Sequence, residues 1–188
     1  MFERFTKDAR AVVKGSFTHA EGDGARSVGA EHLLLALLDR EGSRASFALS
    51  ALGLAERREP VRRALAEARR RAGLTRADAD ALAGLGIDVS EVVARVEEAH
   101  GVGAMSGDWD GGGRGRGDGR RLSFGRGAKD VLEKALRVAL GRRERHIGDE
   151  HLLLALTVLP GVAGEVLADV GVSYEAVTRV LNGEAGAG

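Results

Sequence analysis

The sequence predicts an all-α fold made of two tandem helical repeats. Aromatic residues make up only 4% of the 188 residues, whereas hydrophobic residues make up 44%. The core must therefore consist of Leu, Val and Ala, a set that favours helices over strands. Apolar side chains also recur at helical spacing, as in Ala9, Val12, Val13 and Phe17. A third observation, a nine-residue segment that occurs twice, indicates the duplication.

The two copies of this segment define the repeats. Residues 29–37 read GAEHLLLAL and residues 148–156 read GDEHLLLAL, so eight of nine positions are identical. The flanks of the two copies are also similar, as expected for a tandem duplication. We predict a first repeat at 1–100, a linker at 101–121, a second repeat at 122–183 and a disordered tail at 184–188.

Each repeat is predicted to contain four short helices. In the first repeat we place them at about 6–20, 30–39, 43–53 and 56–72, and in the second at 126–141, 149–158, 161–170 and 173–182. Thr6, Ser43 and Ser173 are the predicted N-caps, and Gly53 and Gly171 are predicted to end the third helices. The leucine-rich second helix has almost no polar face, so it should form the buried centre of its repeat.

The first repeat has an additional segment. Residues 84–100 predict a further loop and helix, because Asp88 and Glu91 have capping-box spacing ahead of a stripe of valines. This segment resembles the end of the second repeat, so we interpret 55–83 as an insertion. The linker contains 9 of the 28 glycines and several arginines, a composition typical of a flexible connection. Trp109 within it is either an incidental exposed residue or a docking anchor.

Composition and motifs exclude several functions. The chain has no cysteine, which excludes disulfides, thiol catalysis and cysteine-ligated metals. The net charge is zero, so there is no general attraction to nucleic acid or anionic lipid. No apolar run is long enough to span a membrane and the N-terminus does not resemble a signal peptide, so we expect a cytoplasmic protein. Neither a G-x-x-x-x-G-K-[ST] loop nor a G-x-S-x-G or H-E-x-x-H motif occurs; we expect neither an enzyme nor a cofactor.

The repeated segments resemble a known family. The opening MFERFTKDARAVV, followed by GAEHLLLALL and later by GDEHLLLAL, resembles the N-terminal double-repeat domain of the Clp unfoldases of the ClpA/ClpC type. In that family the motif has the form G-T-E-H-[IL]-L-L-[AG]-L. The resemblance covers nearly the whole chain except 55–83 and the linker. It implies two four-helix repeats related by a pseudo-twofold axis, here free-standing and similar to actinobacterial members.

The resemblance also implies a function. It indicates a monomeric, non-catalytic docking module whose partners are Clp ATPase or protease components, their substrates or adaptors, and cyclic peptide ligands. One alternative is a regulator that binds the Clp ATPase or protease and alters its assembly. Another is a binder of nucleic acid or acidic partners through Arg57–Arg71, because residues 56–71 contain seven Arg and three Glu.

Glu31 and Glu150 are the candidate ligand-binding residues. Each lies in the first turn of a second helix, where a carboxylate complements the positive helix end. In the ClpC branch the matching glutamates hold the guanidinium of a phosphorylated arginine, and a threonine at the start of the first helix binds the phosphate. Thr6 matches that threonine, whereas its counterpart in the second repeat is Gly125. The resemblance therefore favours the first repeat, with Thr6 and Glu31 in one site.

Two further positions depart from the family pattern. Asp8 and Gly127 stand where many relatives have an arginine beside the phosphate. His32 and His151, which follow the two glutamates, are interpreted as buried hydrogen-bonded histidines, because no further metal ligands lie one turn away.

The family has a second binding surface between the two first helices. In actinobacterial relatives this surface meets partner proteins and macrocyclic peptides, and its residue types are kept here at Phe2, Arg10, Phe124, Lys129 and Glu133. An exposed pair of phenylalanines with a charged rim is a normal docking patch. The alternative is that Phe2 and Phe124 only seal the junction between the repeats.

Overall fold

The computed structural model describes residues 2–71, 73–100 and 122–183. The whole predicted linker, including Trp109, and the predicted tail lie outside the described residues. In the described part of the chain, no single helix is long and apolar enough to cross a membrane. The helices Asp149–Val158 and Val162–Asp169 would be long and apolar enough only together, and the chain bends by 93° between them.

The predicted all-α class is confirmed. The first repeat contains a 3₁₀ turn at Phe2–Arg4, α1 (Lys7–Gly22), β1 (Ser27–Val28), α2 (Ala30–Leu38), α3 (Arg44–Ala51), a 3₁₀ turn at Leu54–Arg57, α4 (Arg58–Arg70), α5 (Arg76–Gly84) and α6 (Val89–His100). The second contains β2 (Ser123–Phe124), α7 (Arg126–Gly141), α8 (Asp149–Val158), α9 (Val162–Asp169) and α10 (Tyr174–Leu181).

Local signals place the helix ends where the sequence predicts them. The hydroxyl of Thr6 accepts a hydrogen bond from the Ala9 amide at 3.2 Å, and Ser43 and Ser173 cap α3 and α10 in the same way. After α3 and α9, Gly53 and Gly171 adopt left-handed φ values of 75° and 80°. Glycine is favoured there because it has no Cβ to strain this conformation.

The two leucine-rich helices form the centre of the core. Leu33, Leu34 and Leu37 of α2 have no exposed surface, and the leucines of α8 are equally buried. Helix α2 packs against α1, α8 packs against α7, and the two central helices contact each other. The two predicted buried centres therefore belong to one core that the two repeats share.

The two repeats interlock through short parallel strands. Strand β1, which precedes α2, pairs with β2, which precedes α7. The equivalent bridge pairs Phe5, before α1, with Ile147, before α8. Each repeat therefore places the start of its first helix beside the start of the other repeat's second helix, as a pseudo-twofold relation requires.

The packing corrects the predicted place of the insertion. Helix α10 packs against α3 and α8, and α4 packs in the corresponding way against α9 and α2. Helix α4 therefore occupies the fourth-helix position, and α5 and α6 form the additional segment. The range 55–83 suggested an insertion because arginines and glutamates surround the inner stripe of Val61, Leu65 and Ala68, whereas the valines of α6 resemble those of α10.

The additional segment is fastened to the second repeat. The backbone amide of Arg76, at the start of α5, donates to the Glu165 carboxylate of α9 at 3.0 Å. The Arg76 guanidinium lies 2.8 Å from the Asp169 carboxylate of the same helix. Polar bonds hold α5 in place, since none of its residues is buried.

Candidate functional site

The candidate site is built around the starts of α2 and α8. The Gly29 amide donates a hydrogen bond to Nδ1 of His32 at 2.8 Å, and the Gly148 amide donates to Nδ1 of His151 at 2.9 Å. Both imidazoles are almost fully buried. Because Nδ1 accepts a bond, a neutral ring carries its proton on Nε2. The histidines therefore cap the helices, as the buried interpretation predicts.

The glycine of the motif makes room for the glutamate. A Cβ on Gly29 would overlap the carboxylate of Glu31, and a Cβ on Gly148 would overlap that of Glu150. Both glycines have extended backbone angles that any residue can adopt, so the effect of a side chain here would be to displace the glutamate carboxylate. The G-x-E-H motif thus specifies how the helix begins. The glutamate carboxylate folds back over the N-cap glycine, and the histidine imidazole accepts a hydrogen bond from the amide of that glycine.

The structure changes the predicted grouping of the ligand-binding residues. The Thr6 amide donates to the Ile147 carbonyl at 2.9 Å, and Ile147 directly precedes the N-cap of α8. Thr6 is thus at the helix start that carries Glu150, and not at the one that carries Glu31. The prediction that Thr6 and Glu31 share a site is wrong, because the repeats interlock and sequence proximity does not give the neighbour.

The start of α7 takes the corresponding place beside Glu31. The Gly125 amide donates to the Val28 carbonyl at 2.9 Å. A Cβ on Gly127 would lie 3.8 Å from the Cβ of Ala30. The first turn of α7 has no acidic residue, whereas the first turn of α1 contains Asp8.

The pocket at Glu150 is filled by side chains of the protein itself. Glu150 is only 4% exposed, and Nη1 of Arg44 lies 2.6 Å from its Oε1. The same nitrogen is 3.5 Å from the Glu144 carboxylate. On the other side, Asp8 pairs with Arg40 at 2.6 Å. Burial raises the pKa of Glu150, and the positive charge of Arg44 partly offsets this effect.

The start of α3 closes this pocket. The Ala45 amide donates to the Asp149 carboxylate at 3.2 Å, which holds the first turn of α3 against the first turn of α8. Arg44 is the first residue of α3, so this bond brings its guanidinium to Glu150. Sequence reasoning missed Arg44, because nothing in the sequence relates α3 to the start of α8.

The pocket at Glu31 is open. A cavity of about 480 Å³ lies beside Glu31. Its mainly apolar walls come from α4 and the chain after it, from the first turns of α7, which also contribute Asp130, and from the chain that runs from the end of α8 into α9. The Glu31 side chain is 39% exposed. Within the described residues, no arginine or lysine lies within 4.0 Å of its carboxylate. Arg69 reaches the edge of the cavity, but it is bound to Asp23 at 2.7 Å.

One group of side chains has metal-ligand types. Ligand atoms of Glu144, Glu150 and His151 all lie within 4.8 Å of one another. Arg44 already contacts both carboxylates, and the protonated Nε2 of His151 faces Glu144 at 3.5 Å. The arrangement is an ion-pair network in which a cation would compete with the guanidinium.

This network shifts two further pKa values. Burial lowers the pKa of His151, although the charge of Glu144 opposes the effect. Burial tends to raise the pKa of Glu144, but the charges of His151, Arg142 and Arg44 together hold it below its usual value.

The predicted docking surface lies on the outer side of α1 and α7. The Phe124 ring is half-buried and packs edge-on against Phe17 of α1, with centroids 5.0 Å apart. Arg10, Lys129 and Glu133 are exposed, and Glu133 pairs with Arg137 one turn further along α7. Phe2 belongs to the opening 3₁₀ turn. Phe124 thus helps to seal the junction of the repeats while part of its ring is exposed.

Several arginines of the basic segment Arg57–Arg71 have internal partners. Arg62 pairs with Asp39, and Arg69 pairs with Asp23. The Arg57 guanidinium donates to the Val170 carbonyl at 3.2 Å. These bonds fasten α4 to both repeats, so they reduce the positive charge that this segment offers to nucleic acid.

Comparisons with known proteins identify relatives of the chain. It matches the family model described as Clp repeat (R) N-terminal domain over residues 4–100 and 123–188. It is 30% identical to the chaperone protein ClpB of Oceanobacillus iheyensis over 174 residues, which are 92% of this chain and 16% of that protein. The chain therefore spans a small part of this curated relative.

Two solved structures share the fold. The N-terminal domain of ClpD from Arabidopsis thaliana is 20% identical, with a TM-score of 0.52 over 98% of this chain and 96% of that one. A protein of a malarial secretion system is 14% identical, with a TM-score of 0.55 over 97% of this chain and 95% of that one.

Proposed function

Because this chain belongs to the family of Clp repeat N-terminal domains, we propose that it is a non-catalytic module that binds proteins or peptides for a cytoplasmic Clp proteolysis system. It recognises or sequesters substrates, adaptors or phosphoarginine-like ligands and has no ATPase activity of its own. The observation that carries this proposal is the open cavity beside Glu31, whose carboxylate has no arginine or lysine partner among the described residues.

The cavity matches the chemistry of a modified arginine. A carboxylate binds a planar guanidinium through two parallel hydrogen bonds. A phosphate on that group would reach the start of α7, where backbone N–H groups and the helix dipole favour an anion. Arg126 is the first residue of this helix and adds a positive charge. The apolar walls of the cavity suit the rest of a peptide.

A titration with phosphoarginine tests the site. We expect amide shifts in NMR spectra at Glu31, Gly29 and the start of α7. Glu31→Gln keeps the shape of the side chain but removes its charge, so it should weaken binding about tenfold or more, which corresponds to about 1.4 kcal/mol. Glu59→Gln is the control, because that carboxylate is 81% exposed and lies on α4. Absence of shifts at Glu31, or equal affinity of Glu31→Gln and wild type, would refute the site.

Protein partners require a second experiment. We propose that Phe124, Arg10, Lys129 and Glu133, together with Phe2, form a docking surface for Clp components, adaptors or cyclic peptides. A trapped-substrate pull-down would compare wild type with Glu31→Ala/Glu150→Ala, to test the pockets, and with a Lys129→Glu variant, to test the surface. If partners are lost only with Lys129→Glu, the docking surface and not the pockets recognises them. An unchanged set of partners with both variants would contradict the proposal.

A further inference from the structure

The two helix starts are equivalent in sequence but differ in what occupies them. We propose that Arg44 is an internal ligand of the second repeat: its guanidinium fills the pocket at Glu150, so this pocket accepts no external guanidinium. Only the pocket at Glu31 then remains for a cationic ligand, and this second statement rests on the proposed function. Of the two equivalent helix starts in the described residues, one is then open to a cationic ligand and the other is closed.

The first step of the argument is the contact itself. The 2.6 Å distance between Arg44 Nη1 and Glu150 Oε1 is that of a charge-assisted hydrogen bond. Arg44 is 52% exposed, whereas Glu150 is 4% exposed. The guanidinium therefore lies over the carboxylate at the mouth of the pocket, where an external guanidinium would bind.

The second step compares equivalent positions. Arg44 is the first residue of α3, and Val162 is the first residue of α9. Asp149, which holds the start of α3, is the first residue of α8, and its counterpart at the start of α2 is Ala30. The pocket at Glu31 thus lacks both the internal cation and the anchor that positions it, and a cavity lies there instead.

The third step is competition. An internal side chain is present at an effective concentration in the millimolar range or above, so an external guanidinium must outcompete it at every encounter. Glu150 is also buried, and a buried carboxylate without a cation is strongly destabilising. The pocket therefore keeps Arg44 unless a ligand brings a substantially stronger interaction.

Reciprocal substitutions provide the experiment. Arg44→Val gives the pocket at Glu150 the residue found at the pocket of Glu31, and Val162→Arg makes the opposite exchange. Phosphoarginine and ethylguanidinium are titrated into the 188-residue wild-type chain, each variant and the double variant, and amide shifts are followed by NMR. Gly148 and Glu150 report on one pocket, and Gly29 and Glu31 report on the other.

We expect wild type to show shifts only at Glu31. Arg44→Val should show a second set of amide shifts at Glu150, and ethylguanidinium should raise the melting temperature of this variant. Val162→Arg should weaken binding at Glu31 about tenfold or more. If Arg44→Val does not fold, Arg44→Gln replaces it, since the amide can still donate to Glu150.

The outcomes separate this proposal from the proposed function. Shifts at Glu150 in wild type, or none there in a folded Arg44 variant, would overturn it. A wild type that binds at neither pocket, with an Arg44→Val that binds at Glu150, would refute the function of the Glu31 pocket and leave the internal ligand supported. Loss of the ethylguanidinium effect in Arg44→Val/Glu150→Gln is the expected control result.

Discussion

Gly29 shows how one residue type depends on a side chain two positions away. The repeated motif predicts a glycine, a glutamate and a histidine at each second helix, but not why they occur together. In the structure, the Glu31 carboxylate occupies the space that a Cβ of residue 29 would take, and His32 bonds the Gly29 amide. The sequence therefore predicts the three residue types, whereas their contacts with one another are apparent only in the folded structure.

Replacement of this glycine is expected to be costly only while the glutamate is present. Gly29→Ala should destabilise the protein by about 1 kcal/mol, since the added methyl displaces the partly exposed Glu31 carboxylate from the N-cap. In a Glu31→Ala background the same change should cost much less, and urea unfolding of the double-mutant cycle measures the difference. Gly141→Ala is the control, because nothing lies within 4 Å of a Cβ there. Equal costs in both backgrounds would contradict the steric explanation.

His151 makes stability depend on pH. Burial holds its pKa in the folded protein below the usual value of 6.5. Below pH 6.5 the unfolded chain therefore binds a proton that the folded protein does not, so stability falls as the pH decreases from 6.5 towards the folded pKa. The lowered pKa of Glu144 adds a loss of the same sign at lower pH, and the raised pKa of Glu150 opposes it.

Urea midpoints measured from pH 8 to pH 5.5 test this dependence. Wild type should lose stability across that range, and His151→Gln, although less stable, should lose less. His146→Gln, outside the capping arrangement of α8, serves as the control and should follow wild type. Parallel curves for wild type and His151→Gln would assign the dependence to other groups.

At the scale of elements, the sequence predicts where helices begin and end better than it predicts which helices pack together. The helices of the second repeat begin and end within one residue of their predicted limits, because caps such as Ser173 and stops such as Gly171 are local. For the first repeat the sequence offers two candidates for the fourth helix, 56–72 and 84–100, and the packing of α4 against α9 and α2 favours the first. Sequence periodicity alone does not identify the surface that a helix packs against.

Paired leucine substitutions test the corrected assignment. Leu65 of α4 is 4% exposed, whereas Leu85, just after α5, is 77% exposed. Leu65→Ala should lower the free energy of unfolding by about 2–5 kcal/mol, because it removes buried methyl groups from the core. Leu85→Ala should change it by less than about 0.5 kcal/mol. Similar costs for the two substitutions would argue against α4 as the fourth core helix.

At the scale of the whole molecule, the repeats are interlocked units. Thr6 binds Ile147 and Gly125 binds Val28, so the first turn of each repeat is bonded to the other repeat. The fourth helices cross in the same sense, α4 onto α9 and α10 onto α3. The duplication is evident from the sequence. The sequence does not show that each first helix starts beside the other repeat's second helix, since two similar segments can pack within or between repeats. This arrangement is why Thr6 and Glu31 were grouped incorrectly.

Separated repeats provide the test of this interlocking. Residues 1–100 and 122–188, expressed as two polypeptides, should each lack a cooperative unfolding transition, because each central helix loses the third helix of the other repeat, α9 from α2 and α3 from α8. Mixing the two polypeptides should restore the helical circular dichroism signal. It should also restore a cooperative transition whose midpoint rises with protein concentration, as expected for association coupled to folding. A cleavage site placed within 101–121 of the intact chain is the matched control, since it cuts the connection after folding and should leave the two parts associated. A dispersed NMR spectrum from 1–100 alone would show that the first repeat folds independently and would contradict the interlocked arrangement as the source of stability.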